Sequence, residues 1–209
     1  MENKDLTLVE AESLPEEVRR GLRFILASNS PRRRELLAGL GYSYEVRVLN
    51  GIDESYPDTL RGSEVAAYIS RVKAEAYRAT MAEDELVITA DTIVCLDDKV
   101  LGKPADEDEA KAMLRSLSGR THQVYTGVTI VASGKNSTFV SRSDVTFSSL
   151  TDEEINHYVT HYQPMDKAGA YGIQEWIGYI GVERIEGSYF NVMGLPVQRL
   201  YSELKKYLG

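Results

Sequence analysis

Polar and apolar residues recur along the chain with two periods, and the switches between them mark its elements. Phe24-Ile25-Leu26 is a short unbroken apolar run, the pattern of a buried strand. A polar loop follows, and Pro31 suits the first turn of a helix, with Ser28 and Ser30 as candidate caps. From Ser63 to Ala82 the period is helical, with Val65, Ile69, Val72 and Ala76 on one face. Leu86 to Leu96 predicts a strand, interrupted at Ala90-Asp91-Thr92. Asp106 predicts the cap of a helix from Glu107 to Leu117, closed by Gly119. Gln123 to Ala132 and Thr138 to Ser148 read as strands joined by a hairpin turn at Ser133-Gly134-Lys135-Asn136. Thr151-Asp152-Glu153-Glu154 is a capping box opening a helix to about His161. Tyr179 to Ile185 predicts a short strand, and Leu195 to Leu208 a terminal helix. Residues 1–21 are charged and weakly periodic, an N-terminal extension in which a short helix starts near Ser13 to Val18. Residues 22–209 form the domain, an α/β fold with a mixed sheet and flanking helices, because helices and strands alternate early and the middle is antiparallel.

Composition narrows the class of ligand. The chain has 209 residues, 43% of them hydrophobic, enough for a substantial soluble core. Its net charge of −8 argues against nucleic acid as a partner, and a polyphosphate would need local positive charge or a metal ion. Cys95 is the single cysteine, which excludes an intrachain disulfide and fits a reducing compartment. It lies in an apolar run and reads as inert core. No apolar stretch is long enough to span a membrane and no secretory pattern opens the chain, so a cytoplasmic location is expected.

Against that acidic background, Arg32-Arg33-Arg34 stands out at the start of a helix. A strand, a polar loop and a helix N-terminus present unpaired N–H groups to an anion, and guanidinium forks there fit phosphate. A basic first turn on a solvated helix fits that segment equally well. Asp91 is the second anchor, since a carboxylate within an apolar strand is costly unless a metal, a proton-accepting role or backbone N–H groups at a bulge compensate. Thr92 adds a second polar group beside it. Gly102-Lys103-Pro104 offers close backbone approach and a point charge, although such triplets are usually plain turns. Glu54, in the loop Gly51-Ile52-Asp53-Glu54, is a candidate second metal ligand or an exposed acidic turn, and Lys73 lies on the helix that follows. The run from Pro164 to Gln174 is dense in small residues around the charge pair Asp166-Lys167, and the Gln174 amide is suited to a base edge. Gly187 to Pro196 is a further Gly-bounded turn that closes the site or makes a tight connection. There is no P-loop, dinucleotide fingerprint or nucleophile elbow. His157 and His161 lack a His-Glu-x-x-His context and read as a solvated pair, and His122 as polarity at a strand edge.

In this order, Leu26-Ala27-Ser28-x-Ser30-Pro31-Arg32-Arg33, Ala90-Asp91-Thr92, Gly102-Lys103-Pro104, Ser118-Gly119, Asp166 to Gln174 and Gly194-Leu195-Pro196 strongly resemble the Maf family of nucleoside triphosphate pyrophosphatases. The resemblance spans roughly Leu22 to the C-terminus. It implies an elongated fold like that of inosine triphosphate pyrophosphatase, with a deep cleft and often a homodimer. It also implies a cytoplasmic enzyme, dependent on magnesium or manganese, that cleaves a nucleoside triphosphate between its α and β phosphates. Asp91 then matches the proton acceptor, and Arg32, Thr92 and Gln174 match positions marking the subgroup acting on dTTP and UTP. Ser28, Arg33, Glu54, Lys73 and Lys103 match further active-site positions, Glu54 joining Asp91 at the metal. Two alternatives accompany this expectation, a nucleotide-binding regulator of septum formation and the same chemistry on 7-methyl-GTP. The chain departs from the family pattern where Gln174 is followed by Glu175-Trp176-Ile177-Gly178 instead of glycine, and in its longer N-terminus.

Overall fold

The computed structural model describes residues 8–9 and 21–208. In chain order its elements are β1 (Leu8–Val9), β2 (Arg23–Leu26), α1 (Pro31–Ala38), β3 (Tyr44–Val46), α2 (Ser63–Arg78), β4 (Glu85–Leu96), β5 (Lys99–Leu101), α3 (Glu107–Leu117), β6 (Thr121–Ala132), β7 (Lys135–Phe147), α4 (Asp152–Tyr162), α5 (Trp176–Gly181), β8 (Val182–Glu186), α6 (Tyr189–Met193) and α7 (Val197–Leu208). Two 3₁₀ turns, Pro164–Asp166 and Ala168–Ala170, lie between α4 and α5. The strands form one mixed sheet in the order β1-β3-β2-β4-β6-β7-β8, with β5 paired to β4. β2 runs parallel to both β3 and β4, and the remaining pairs are antiparallel.

β4 organises the molecule. Its side chains are buried at every position except Asp91 and Thr92, because helices cover both faces of the sheet. Val87, Ile93 and Cys95 pack in small clusters against α2, and Thr89 donates to the carbonyl of Ser70 on that helix at 2.7 Å. On the opposite face Leu86, Ile88 and Ala90 join a core with residues of α1 and α7. Val94 and Leu96 join a second core built from α3, α4 and the segment Ala170 to Ile177. Asp91-Thr92 therefore falls where one core ends and the next begins. Glu85, at the start of β4, is buried and bound by Arg47 at 2.7 and 2.9 Å and by Arg23 at 2.9 Å, and the Arg47 guanidinium holds its carboxyl below the ordinary range.

Several expectations need correction. β4 is continuous, and Asp91 pairs in regular register with Gly127, so no bulge interrupts the strand. Residues from Tyr179 begin in helix α5, with the strand starting only at Val182. The short apolar run there imitates a strand, whereas Gly178 packs so tightly on Ile173 that a Cβ would lie 1.8 Å from its carbonyl oxygen. The second helix ends at Arg78, and the terminal one starts at Val197, after Pro196. Within the N-terminal extension Leu8–Val9 pairs with β3 as a short edge strand, while the helix start expected at Ser13 to Val18 lies outside the described residues. Ser30 does occupy the N-cap of α1 but its side chain makes no capping bond; instead the Ser28 hydroxyl accepts from the Ser30 amide at 3.2 Å. The caps at Asp106 and Thr151 form as expected, the latter as a full capping box.

Candidate active site

A cleft of about 820 Å³ opens at the junction of the two cores. Ser28, Arg32, Arg33, Glu54, Lys73, Asp91, Thr92, Lys103 and Gln174 all line it, so every candidate residue is brought to one place. Six separate segments supply them, which makes the gathering a property of the fold and not of any local motif.

The acidic part is built by α2 and β4. Asp91 shares a sheet face with Gly127 across the β4–β6 ladder. A Cβ on Gly127 would lie 2.2 Å from the Ala66 carbonyl oxygen, so the bare glycine lets α2 press against the sheet at that point. Two turns further along α2, Lys73 reaches Asp91 at 2.7 Å. The same ammonium meets Glu54 at 3.0 Å. Asp53 helps place Glu54 by folding the loop, its carboxylate accepting from the Ser55 amide at 2.9 Å. Two carboxylates thus converge on one mostly buried ammonium, and its charge compensates Asp91 inside the strand. Among the described residues no group of three or more His, Cys, Asp or Glu forms a metal cage.

The cationic part comes chiefly from α1. Pro31 holds its first position, and the next two residues, Arg32 and Arg33, line the cleft. Arg33 donates through Nε to the Gly194 carbonyl at 2.8 Å and through a terminal nitrogen to the Thr92 hydroxyl at 3.0 Å. Burial lowers its pKa, while the Asp91 charge opposes that shift and Arg32 adds to it. Beyond Thr92 the hydrogen bonds have a single direction. Thr126 donates to the Asn191 carbonyl at 3.0 Å, so its oxygen receives the Thr92 proton at 2.9 Å, and Thr92 in turn accepts from Arg33. Gly194, at φ +116°, supplies a carbonyl to Arg33 from a left-handed turn that glycine adopts without strain. The Gly187–Pro196 segment therefore both connects tightly and closes the site. Arg32 faces Asp166 at 3.5 Å. Lys103 is exposed and makes no ion pair among the described residues, and its loop is tied down by Gly169, which donates to the Gly102 carbonyl at 3.0 Å. Arg34 faces away from the cleft and donates to Asn29 at 3.3 Å.

Gln174 sits in the turn Gly172–Glu175, closed by a 3.0 Å bond from the Glu175 amide to the Gly172 carbonyl. Its side-chain oxygen is buried with no hydrogen-bond partner among the described residues. Behind it Lys167, Glu175 and Tyr158 form a polar cluster that the sequence hinted at only through the Asp166-Lys167 pair. His122 departs from the expected strand-edge polarity. It is fully buried, shares a 2.7 Å hydrogen bond with the Tyr171 hydroxyl and packs edge-on against Phe147, and burial pushes its pKa down to about 4. Its polarity belongs to the second core and not to a strand edge. His157 and His161 lie tilted against each other at the surface, 4.3 Å between ring centroids, with no third ligand beside them among the described residues. Cys95 is buried, and desolvation raises its thiol pKa to about 11, so it is inert at neutral pH.

Comparison with known proteins identifies the family. Residues 23–207 match the family model described as Maf-like protein. A dTTP/UTP pyrophosphatase of Phocaeicola vulgatus is 64% identical over 184 residues, covering 88% of this chain and 95% of that protein. A dTTP/UTP pyrophosphatase of Bacteroides thetaiotaomicron is 61% identical with the same coverage. A solved nucleoside-triphosphatase / dITP/XTP pyrophosphatase of Mycobacterium abscessus aligns with 90% of this chain and 97% of its own at 16% identity and a TM-score of 0.42. The family model spans nearly all of the described domain, and the chain belongs to the Maf-like protein family.

Proposed function

We propose that the protein hydrolyses dTTP and UTP between the α and β phosphates, releasing the nucleoside monophosphate and pyrophosphate, in a housecleaning role. The observation that carries this reading is the convergence of four cationic side chains and the Lys73-bridged pair Asp91 and Glu54 in one cleft. The names of the relatives, dTTP/UTP pyrophosphatases at 64% and 61% identity, support the substrate class.

Water attacks the α-phosphorus as the bond to the bridging oxygen breaks, and pyrophosphate leaves with the bonding electrons. Asp91 accepts the water proton. Arg32, Arg33, Lys73 and Lys103 hold the triphosphate and neutralise the charge that grows on its oxygens. Ser28, on the loop before α1, contributes to the phosphate-facing wall. Gln174 and Thr92 form the pyrimidine end; with its amide oxygen buried, Gln174 has its amide nitrogen left to donate to a pyrimidine carbonyl. Asp91 and Glu54 offer hard oxygen donors suited to magnesium or manganese, which binds through one or two carboxylates and substrate phosphates. Such an ion would polarise the phosphoryl oxygens. We place the enzyme in the cytoplasm, a reading supported by its lone buried thiol, and no helix among the described residues is long and apolar enough to cross a membrane. The homodimer that the resemblance implies is supported by exposed apolar side chains on α5 and α6, Tyr179, Ile180, Tyr189 and Phe190, and sedimentation velocity tests it.

Pyrophosphate release from dTTP, UTP, CTP and 7-methyl-GTP, with magnesium or manganese, tests the function. Turnover of dTTP and UTP ahead of the others is expected, with Asp91→Asn lowering kcat by about 10² to 10⁴, the usual scale of a lost general base. Preference for 7-methyl-GTP, or an undiminished Asp91→Asn enzyme, would refute it.

A further inference from the structure

Lys167 is a charged residue that the phosphate chemistry does not use, yet its side chain is only 8% exposed. Burying an ammonium is costly unless it is paired. It has two partners, Asp166 at 2.7 Å and Glu175 at 3.2 Å. The other oxygen of Glu175 accepts from the Tyr158 hydroxyl. Tyr158 is itself fully buried, and its oxygen accepts from the Gly172 amide at 2.9 Å. The carboxylate lies directly against Gly172, where a Cβ would stand 2.8 Å from the Glu175 carboxyl carbon. Glu175 and Tyr158 do not line the cleft, whereas Lys167, Gly172 and Gln174 do.

These contacts clamp both ends of the four-residue turn that carries Gln174. Its first residue is fixed through its amide by Tyr158, and its last through both carboxylate oxygens by Lys167 and Tyr158. Asp166 extends the chain of charges to Arg32 at 3.5 Å, so the turn facing the base is linked to a side chain facing the phosphates.

We infer that Glu175, Tyr158 and Lys167 are positioning residues that set the base selectivity of the cleft by holding the Gln174 carboxamide in one orientation. The inference rests on the proposed reading of Gln174 as the base-contacting residue. Uracil and thymine carry an acceptor at C4, and cytosine carries a donor there. An amide held in one orientation separates the two, while an amide free to turn over presents either its oxygen or its nitrogen and accepts both. The rack therefore governs discrimination between UTP and CTP and leaves the hydrolytic groups in place.

The test compares kcat and KM for UTP and CTP in the wild type, Glu175→Ala, Glu175→Gln, Tyr158→Phe and Gln174→Ala, with thermal melting of each. Glu175→Ala is expected to lower the UTP-to-CTP ratio of kcat/KM by about tenfold, through a higher KM for UTP and a gain on CTP, while kcat for UTP changes by less than about threefold. Glu175→Gln, which keeps an acceptor for Tyr158 but loses the charge facing Lys167, falls between, as does Tyr158→Phe. Should Glu175→Ala prove unstable, these two milder variants carry the test. An unchanged ratio in the folded Glu175 and Tyr158 variants, with a reduced one in Gln174→Ala, overturns the positioning role alone. An unchanged ratio in Gln174→Ala overturns the base reading and this inference with it. Equal loss of kcat on both nucleotides would show a merely structural role and also overturn it.

Discussion

Arg33 has two of its donors committed to protein oxygens, Gly194 and Thr92, which leaves the rest of its fork for a ligand. The arginine is thus aimed by a chain of hydroxyls before any phosphate arrives. Thr126→Val cuts that chain at its centre, leaving the Asn191 carbonyl without its donor and Thr92 without its acceptor. Loss of about 1–3 kcal/mol of stability is expected, the cost of buried polar groups left unpaired, and Thr126→Ser restores it. Because the Gly194 contact survives, kcat/KM for UTP should fall only about fivefold, the scale of one misplaced neutral hydrogen bond. Calorimetric melting and steady-state hydrolysis check both numbers; a Thr126→Val enzyme melting with the wild type would show that the relay contributes nothing. Asp91 was legible in the sequence itself, because an aspartate in an apolar strand has few structural uses, whereas Arg32 and Arg33 fitted a solvated helix start equally well and Glu54, Lys73 and Lys103 stood out only through the family resemblance. Thr126 and Asn191 were not legible. Their meaning comes from the pairing of Thr92 with Thr126 across the sheet and from a close approach some sixty residues further along the chain, and nothing local announces either.

At the scale of elements, the site depends on how closely α2 lies on the sheet. Gly127 is fully extended strand, not a turn, so its role is space and not backbone freedom. The atoms that an added Cβ would meet are the Ala66 carbonyl and the Ala67 amide at 2.2 to 2.8 Å, backbone that cannot rotate away. Gly127→Ala must therefore push α2 off β4 and β6, carrying Lys73 away from Asp91. A loss of about 3 kcal/mol or more is expected, at the upper end of overpacking costs, together with loss of pyrophosphate release even in the folded fraction. Urea unfolding and activity per folded molecule test this, and a stable, fully active Gly127→Ala protein would contradict it. Long elements with caps, such as α3 and α4, could be read directly because propensity, capping and period agree there. Short ones could not. β3 and β5 have three residues each, held by neighbours on the sheet, and α5 exists because Gly178 fits under Ile173. These elements are set by tertiary contact, which a single sequence does not display.

The whole molecule rests on two main cores along one sheet, and the second runs under the turn that carries Gln174. His122 lies within it, together with Tyr171 and Phe147. Desolvation lowers its pKa from 6.5 to about 4, against a weaker opposing pull from Asp144. Between those values the unfolded chain binds a proton that the folded chain refuses. The contribution of His122 to stability is thus complete above about pH 6.5 and is lost as pH falls towards 4. A shift of that size corresponds to about 3 kcal/mol across the window. Glu85 acts in a different range. Arg47 depresses its carboxyl pKa below the ordinary 4.5, so its contribution persists down to about pH 4.5 and is lost only at more acid pH. Urea unfolding at intervals from pH 7 to 4 should show stability declining from about pH 6.5, with the slope between 6.5 and 4.5 abolished in His122→Phe. That variant loses the Tyr171 hydrogen bond and starts less stable at pH 7, so the two curves should converge as the pH falls. Parallel curves would place the acid sensitivity elsewhere. Because Tyr171 lies on the segment leading to Gln174, UTP hydrolysis by the wild type should weaken over the same window, and His122→Phe separates that global loss from titration of the cleft itself.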